Sequence, residues 1–117
     1  LAWRCDGVRA LDSTTVRLWG ANGGKDGIGY ELVARVIVDG GTCESVGSRI
    51  LVHGARGLTV LVTGRTTYRD ADPLGWCLST LARAGRRGYD SIRRRHLDDF
   101  HGIYDRCTIQ LGGAGTT

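Results

Sequence analysis

The chain has 117 residues, 41% of them hydrophobic and 24% charged, which fits one domain or part of a larger one and excludes a disordered tail. Its formal net charge of +4 comes almost wholly from arginine, since Lys25 is the only lysine. The 19 glycines follow no Gly-X-Y period, so they mark turns between short strands rather than collagen.

The sequence begins at Leu1 and contains no methionine, and reads as a processed chain or a fragment. No basic segment followed by an apolar run precedes Trp3, so no signal peptide is expected within it. The apolar runs around residues 32–38 and 58–62 are far shorter than a membrane-spanning helix needs. Cys5, Cys43, Cys77 and Cys107 are widely spaced and form no Cys-x-x-Cys. That spacing disfavours a zinc or thioredoxin-like site and leaves two disulfides or four scattered thiols as open alternatives.

In chain order, Thr14–Trp19 alternates as a short strand with Val16 and Leu18 on one side. Residues 20–27 hold four glycines and no apolar period, and read as a loop. Residues 28–38 form the clearest strand. Ile28, Tyr30, Leu32, Ala34, Val36 and Val38 share one face, while Glu31, Arg35 and Asp39 mark the other, diluted by Val33 and Ile37. Asp39-Gly40-Gly41 predicts a hairpin turn that returns Thr42–Val46 antiparallel. A further strand is expected at Arg49–Val52. Leu58–Val62 is apolar on both sides apart from Thr59, the pattern of a strand buried between two layers.

The period then changes. Asp72-Pro73 is a helix start, and Leu74, Cys77, Leu78 and Leu81 give an apolar helical stripe ending near Gly85. A second helix over about 89–106 aligns Tyr89, Ile92, His96, Phe100, Ile103 and Cys107 on one face. Thr108–Leu111 alternates as a closing strand, and residues 113–117 read as a linker. The expected class is mainly β: antiparallel strands over about 14–63, helices at about 73–85 and 89–106, and a strand at 108–111.

Three stretches carry a resemblance. Gly57–Tyr68, then Gly88-Tyr89-Asp90 with His96…Asp99-Phe100, then Tyr104-Asp105-Arg106 leading into an alternating strand resemble the end of the N-terminal domain of glycoside hydrolase family 95, the α-L-fucosidase group. The resemblance covers most of residues 28–112. It implies an antiparallel β-sandwich of the supersandwich type, represented here over 1–112 by its second half, with a two-helix linker toward an (α/α)₆ barrel. In the family that barrel performs inverting hydrolysis of O-glycosyl bonds. None of its motifs has a counterpart here, so the resemblance implies no catalytic, metal or cofactor-binding residue, and the chain alone is expected to be inactive. It also implies a secreted or extracellular parent, the rest of that parent as partner, and fucosylated glycans as ligands of the whole. Alternatives from other classes are a free-standing carbohydrate-binding sandwich and a basic anion- or nucleic-acid-binding domain.

Several single residues are of types that could carry chemistry. Asp98 and Asp99 are a carboxylate pair, but an inverting glycosidase holds its two carboxyls about 6.5–9.5 Å apart across a sugar. Neighbours on a helix point roughly 100° apart, so a pairing of Asp99 with a nearby arginine or backbone is expected instead. His96 falls on the apolar helix face, as a core or interface histidine. His53 and His101 have no partner at metal-ligand spacing. Arg83, Arg86, Arg87 and Arg93–Arg95 form the strongest charge cluster, with the aromatic residues expected on the opposite, buried face, unlike a stacking nucleic-acid site. Trp3, Trp19 and Trp76 could stack on sugars, yet their spread favours packing. Gly20-Ala21-Asn22-Gly23-Gly24 lacks the Gly-Lys-Ser/Thr of a phosphate loop.

Overall fold

A computed structural model of the chain describes residues 5–23, 26–107, 109 and 112. The fold is mainly β, antiparallel and sandwich-like, with two helices. It divides into two compact units, one up to Arg86 and one from Arg87 onward.

The first unit is built on a sheet of four antiparallel strands: β1 (Gly7–Ala10), β2 (Thr15–Asn22), β3 (Ile28–Asp39) and β6 (Gly57–Thr66), in the order β1-β2-β3-β6. Strands β4 (Thr42–Val46) and β5 (Arg49–His53) form a separate hairpin between β3 and β6. The expected return of residues 42–46 against β3 is therefore corrected: the ladder of β3 is taken by β6, from Tyr30↔Thr66 to Asp39↔Gly57. Two successive left-handed glycines, Gly40 (φ 72°) and Gly41 (φ 71°), turn the chain out of the sheet after Asp39. The long, apolar β6 is a better match for the long β3 than the short, polar β4. At the hairpin tip, the Gly47 carbonyl accepts the Ala10 amide of β1 at 3.3 Å.

Helix α1 (Pro73–Arg87) begins where Asp72-Pro73 predicted it. The Asp72 carboxylate accepts the Gly75 amide at 2.9 Å, a side-chain cap for the first turn. The helix runs through Gly85 and stops before Gly88, whose φ of 75° breaks the helical path. Its stripe supplies the core: Cys77 and Leu81 are buried with Val33 of β3, and Leu61, Leu74, Trp76 and Leu78 pack around them.

Val33 belongs to the face of β3 that alternation marked as polar. The helix covers the side carrying Thr15, Arg17, Trp19, Glu31, Val33 and Leu61. The more apolar side, with Val8, Leu18, Leu32, Val60 and Val62, faces away from it. On that side Val8, Ile28, Leu32, Leu58, Val60 and Val62 are all exposed, Val62 by 62%. This also corrects the expectation for Leu58–Val62. The strand is covered on one side only and lies at the sheet edge.

In the second unit, α2 (Tyr89–Tyr104) has no buried residue. Phe100 stacks on Tyr104 with ring centroids 5.0 Å apart, so the helical spacing of the aromatics is realised. Residues 108, 110 and 111 of the expected closing strand lie outside the described residues, as does Trp3.

Candidate functional site

Two features of the first unit could support function: a cluster of charged and indole side chains under α1, and the open sheet face opposite. The cluster arises from strand alternation. Arg17 and Trp19 of β2 share a face with Glu31 of β3 and Arg65 of β6, since Trp19 pairs with Glu31 and Glu31 with Arg65. Arg17 grips Glu31 with both prongs of its guanidinium; Nε donates to Oε2 at 2.7 Å and Nη2 donates to Oε1. The bond to Glu31 holds the Arg17 guanidinium above its ordinary pKa against the opposing effect of burial.

Trp19 and Trp76 each carry an arginine. The Arg17 guanidinium carbon lies 4.5 Å from the Trp19 ring centroid, and that of Arg65 lies 4.4 Å from Trp76. The Trp19 ring in turn lies over Gly7, where a built Cβ would come within 2.3 Å of it. Both indoles are half-buried. A sugar stacking on the arginine-covered face of either ring would have to displace that arginine. Arg65 also reaches Asp70, with Nε 3.7 Å from a carboxylate oxygen, yet that Nε is buried without a hydrogen bond.

Beneath this cluster, burial pushes the Cys77 thiol above its usual range. The nearby Glu31 charge adds to the shift and Arg65 opposes it. A thiol held protonated in a closed core is a poor nucleophile. Cys5, Cys43, Cys77 and Cys107 are all free, Cys107 being exposed.

The residues singled out from sequence fall in both units. Asp98 and Asp99 are exposed on α2, and no ion pair or hydrogen bond joins Asp99 to an arginine among the described residues, contrary to the expected pairing. His96 is exposed instead of packed, at 6.2 Å and a tilt from the Phe100 ring. His101 pairs with Asp105 at 3.2 Å, one helical turn on, and His53 with Glu44 at 3.1 Å across the β4–β5 hairpin. Arg83, Arg86, Arg87 and Arg93–Arg95 are exposed, but so are Tyr89, Phe100 and Tyr104, correcting the expectation of a buried aromatic face. Among the described residues no three His, Cys, Asp or Glu side chains come together as a metal-binding group. No helix there is long and apolar enough to cross a membrane.

Sequence reasoning missed the Arg17–Glu31–Arg65 cluster, reading Glu31 only as a marker of the second face of its strand. A usable signal was present: strands β2, β3 and β6 each place a charge on one parity, and in β2 it sits two residues from a tryptophan. The open face was visible as alternation in β3, while Leu58–Val62 of β6 was expected to be buried between two layers. No family model and no curated protein matches this chain.

Proposed function

We propose that the chain is a non-catalytic packing module: the C-terminal part of the N-terminal β-sandwich domain of an α-L-fucosidase-like glycoside hydrolase. Its apolar sheet face receives a second β layer of the parent protein, and the module supports hydrolysis of O-glycosyl bonds by an (α/α)₆ barrel elsewhere in that parent. The observation that carries the reading is the open face itself. Ile28, Leu32, Leu58, Val60 and Val62 are exposed across adjoining strands, a patch of the kind that marks a packing surface. The order of the Gly57–Tyr68, Gly88–Phe100 and Tyr104–Arg106 motifs supports the choice of family. The catalytic role is left to the barrel because the carboxylates Asp98 and Asp99 are adjacent on one helix, a placement that cannot flank a glycosidic bond.

The test is an assay for fucose released from an α-1,2-fucosylated oligosaccharide, run on this chain and on the product of the complete reading frame that encodes it. The chain alone is expected to release none and the complete product to release fucose. Release by the chain alone overturns the non-catalytic role, and an inactive complete product overturns the fucosidase assignment.

A further inference from the structure

The two edges of the four-stranded sheet are treated differently. Strand β1 is short, carries Arg9, and has its Ala10 amide occupied by the Gly47 carbonyl of the hairpin. Those are familiar protections of a sheet edge. Strand β6 has ten residues and pairs only with β3 among the described residues. Its run Gly57-Leu58-Thr59-Val60-Leu61-Val62-Thr63-Gly64 contains no proline, lysine or acidic residue, and Arg65 is the only charge in the strand.

The ladder identifies which backbone groups of β6 are left unused by β3 and by the other described strands. Thr67 N donates to Gly29 O at 2.9 Å, and on the other side of β3 Val36 N donates to Thr14 O at 2.8 Å. In an antiparallel ladder the bonded pairs recur at every second residue. Odd-numbered residues of β3 and β6 therefore bond each other, while Leu58, Val60, Val62 and Gly64 aim their N–H and C=O groups outward from β6.

We propose that this edge is a docking site for a second copy of the chain, β6 pairing antiparallel with β6 about a two-fold axis at Leu61. The sequence of the strand is self-complementary in that register. Val60 falls opposite Val62 of the second copy on the open face, Thr59 opposite Thr63 on the helix face, and Leu58 opposite Gly64. Branched apolar pairs and Thr–Thr pairs are among the stabilising cross-strand neighbours of an antiparallel sheet. The outward-pointing residues are the ones that meet, so each exchanges its free N–H and C=O with its counterpart. The pairing is isologous and closes at a dimer, leaving the β1 edges as the new rims. It joins the two open apolar faces into one continuous side of a single sheet. The inference rests on the strand edge and is independent of the glycosidase reading, which rests on the face and the motifs.

Sedimentation equilibrium of the whole chain over a concentration series tests the pairing, read together with amide exchange. A monomer–dimer equilibrium is expected, in which the Val60 and Val62 amides exchange at least about tenfold more slowly where the dimer dominates. Val62→Pro removes an outward N–H that β3 does not use, and is expected to weaken the dimer by about tenfold or more. Leu32→Lys, on the open face but away from the edge, leaves the dimer intact. A chain that stays monomeric overturns the proposal, as does a dimer that survives Val62→Pro but is lost in Leu32→Lys. Should Val62→Pro fail to fold, exchange in the unaltered chain decides: dimerisation without slowing at Val60 and Val62 overturns it.

Discussion

Arg17 and Glu31 are joined diagonally across β2 and β3 by a two-pronged ion pair, with Nε donating to Oε2 at 2.7 Å and side-chain exposures of 20% and 12%. The pair lies on the sheet face that also carries Trp19 with Arg17 stacked on it and Arg65 stacked on Trp76 of α1. Its position links the sheet register to the helix, because Trp76 of α1 is held by Arg65, the cross-strand neighbour of Glu31.

Glu31→Gln should therefore destabilise the fold. Removing one partner of a fully buried pair costs about 3–5 kcal/mol, and residual solvent access at both groups reduces this to about 1–3 kcal/mol. Urea unfolding should show a lowered midpoint with an unchanged slope. An unaltered midpoint would mean that the pair contributes no stability.

Leu81→Ala should cost about 2–5 kcal/mol, since Leu81 is 2% exposed in a small core with Val33 and Cys77. With so few buried neighbours, a loss near the top of that range would abolish cooperative unfolding, which calorimetry would register directly.

Leu32→Lys should behave in the opposite way. Leu32 is 43% exposed on the open face, so the change in stability is expected to stay within about 0.5 kcal/mol. Binding of a dye that reports exposed apolar surface should fall. Large destabilisation would show instead that the face is covered within the chain.

Asp12 sets a pH dependence. Burial works to raise its pKa, but hydrogen bonds from the Thr14 amide at 2.7 Å and the Thr14 hydroxyl at 2.8 Å, with Thr15 contributing, leave it below the ordinary 3.8. A folded-state value below the unfolded one contributes stability that is present above the unfolded pKa and is lost as pH falls through the folded one. Asp12→Ala should thus be less stable than the unaltered chain at about pH 6 and approach it near about pH 2. Parallel denaturation curves at both pH values measure the difference.

Asp72→Ala should cost about 1 kcal/mol through loss of the cap on Gly75 N–H. Helix content should drop in the circular dichroism of the folded chain, with the fraying confined to the first turn of α1.

Much of the local structure was legible in the sequence. Ile28–Val38 alternated as the longest strand, Asp39-Gly40-Gly41 marked a turn, Thr42–Val46 emerged with the expected bounds, and Asp72-Pro73 started a helix. These features depend on neighbours a few residues apart: side-chain alternation, left-handed glycine and a side-chain cap. Gly7–Ala10 was too short to give a period and went unseen. The candidate cluster was hidden for another reason, since Arg17, Glu31 and Arg65 become neighbours only through strand pairing.

The sequence by itself thus determined the mainly β class, the switch to helices after residue 72, and which residues of each strand share a face. Only the tertiary structure decided that β6 displaces β4 as the partner of β3, and that α1 covers the face of Val33 rather than that of Leu32. The physical reason is common to both. Alternation divides a strand into two faces but does not say which of them the helix will bury, and both faces of β3 and β6 contain apolar residues. The stripe of Cys77 and Leu81 made that choice by packing on Val33 and Leu61, and so left the other face open.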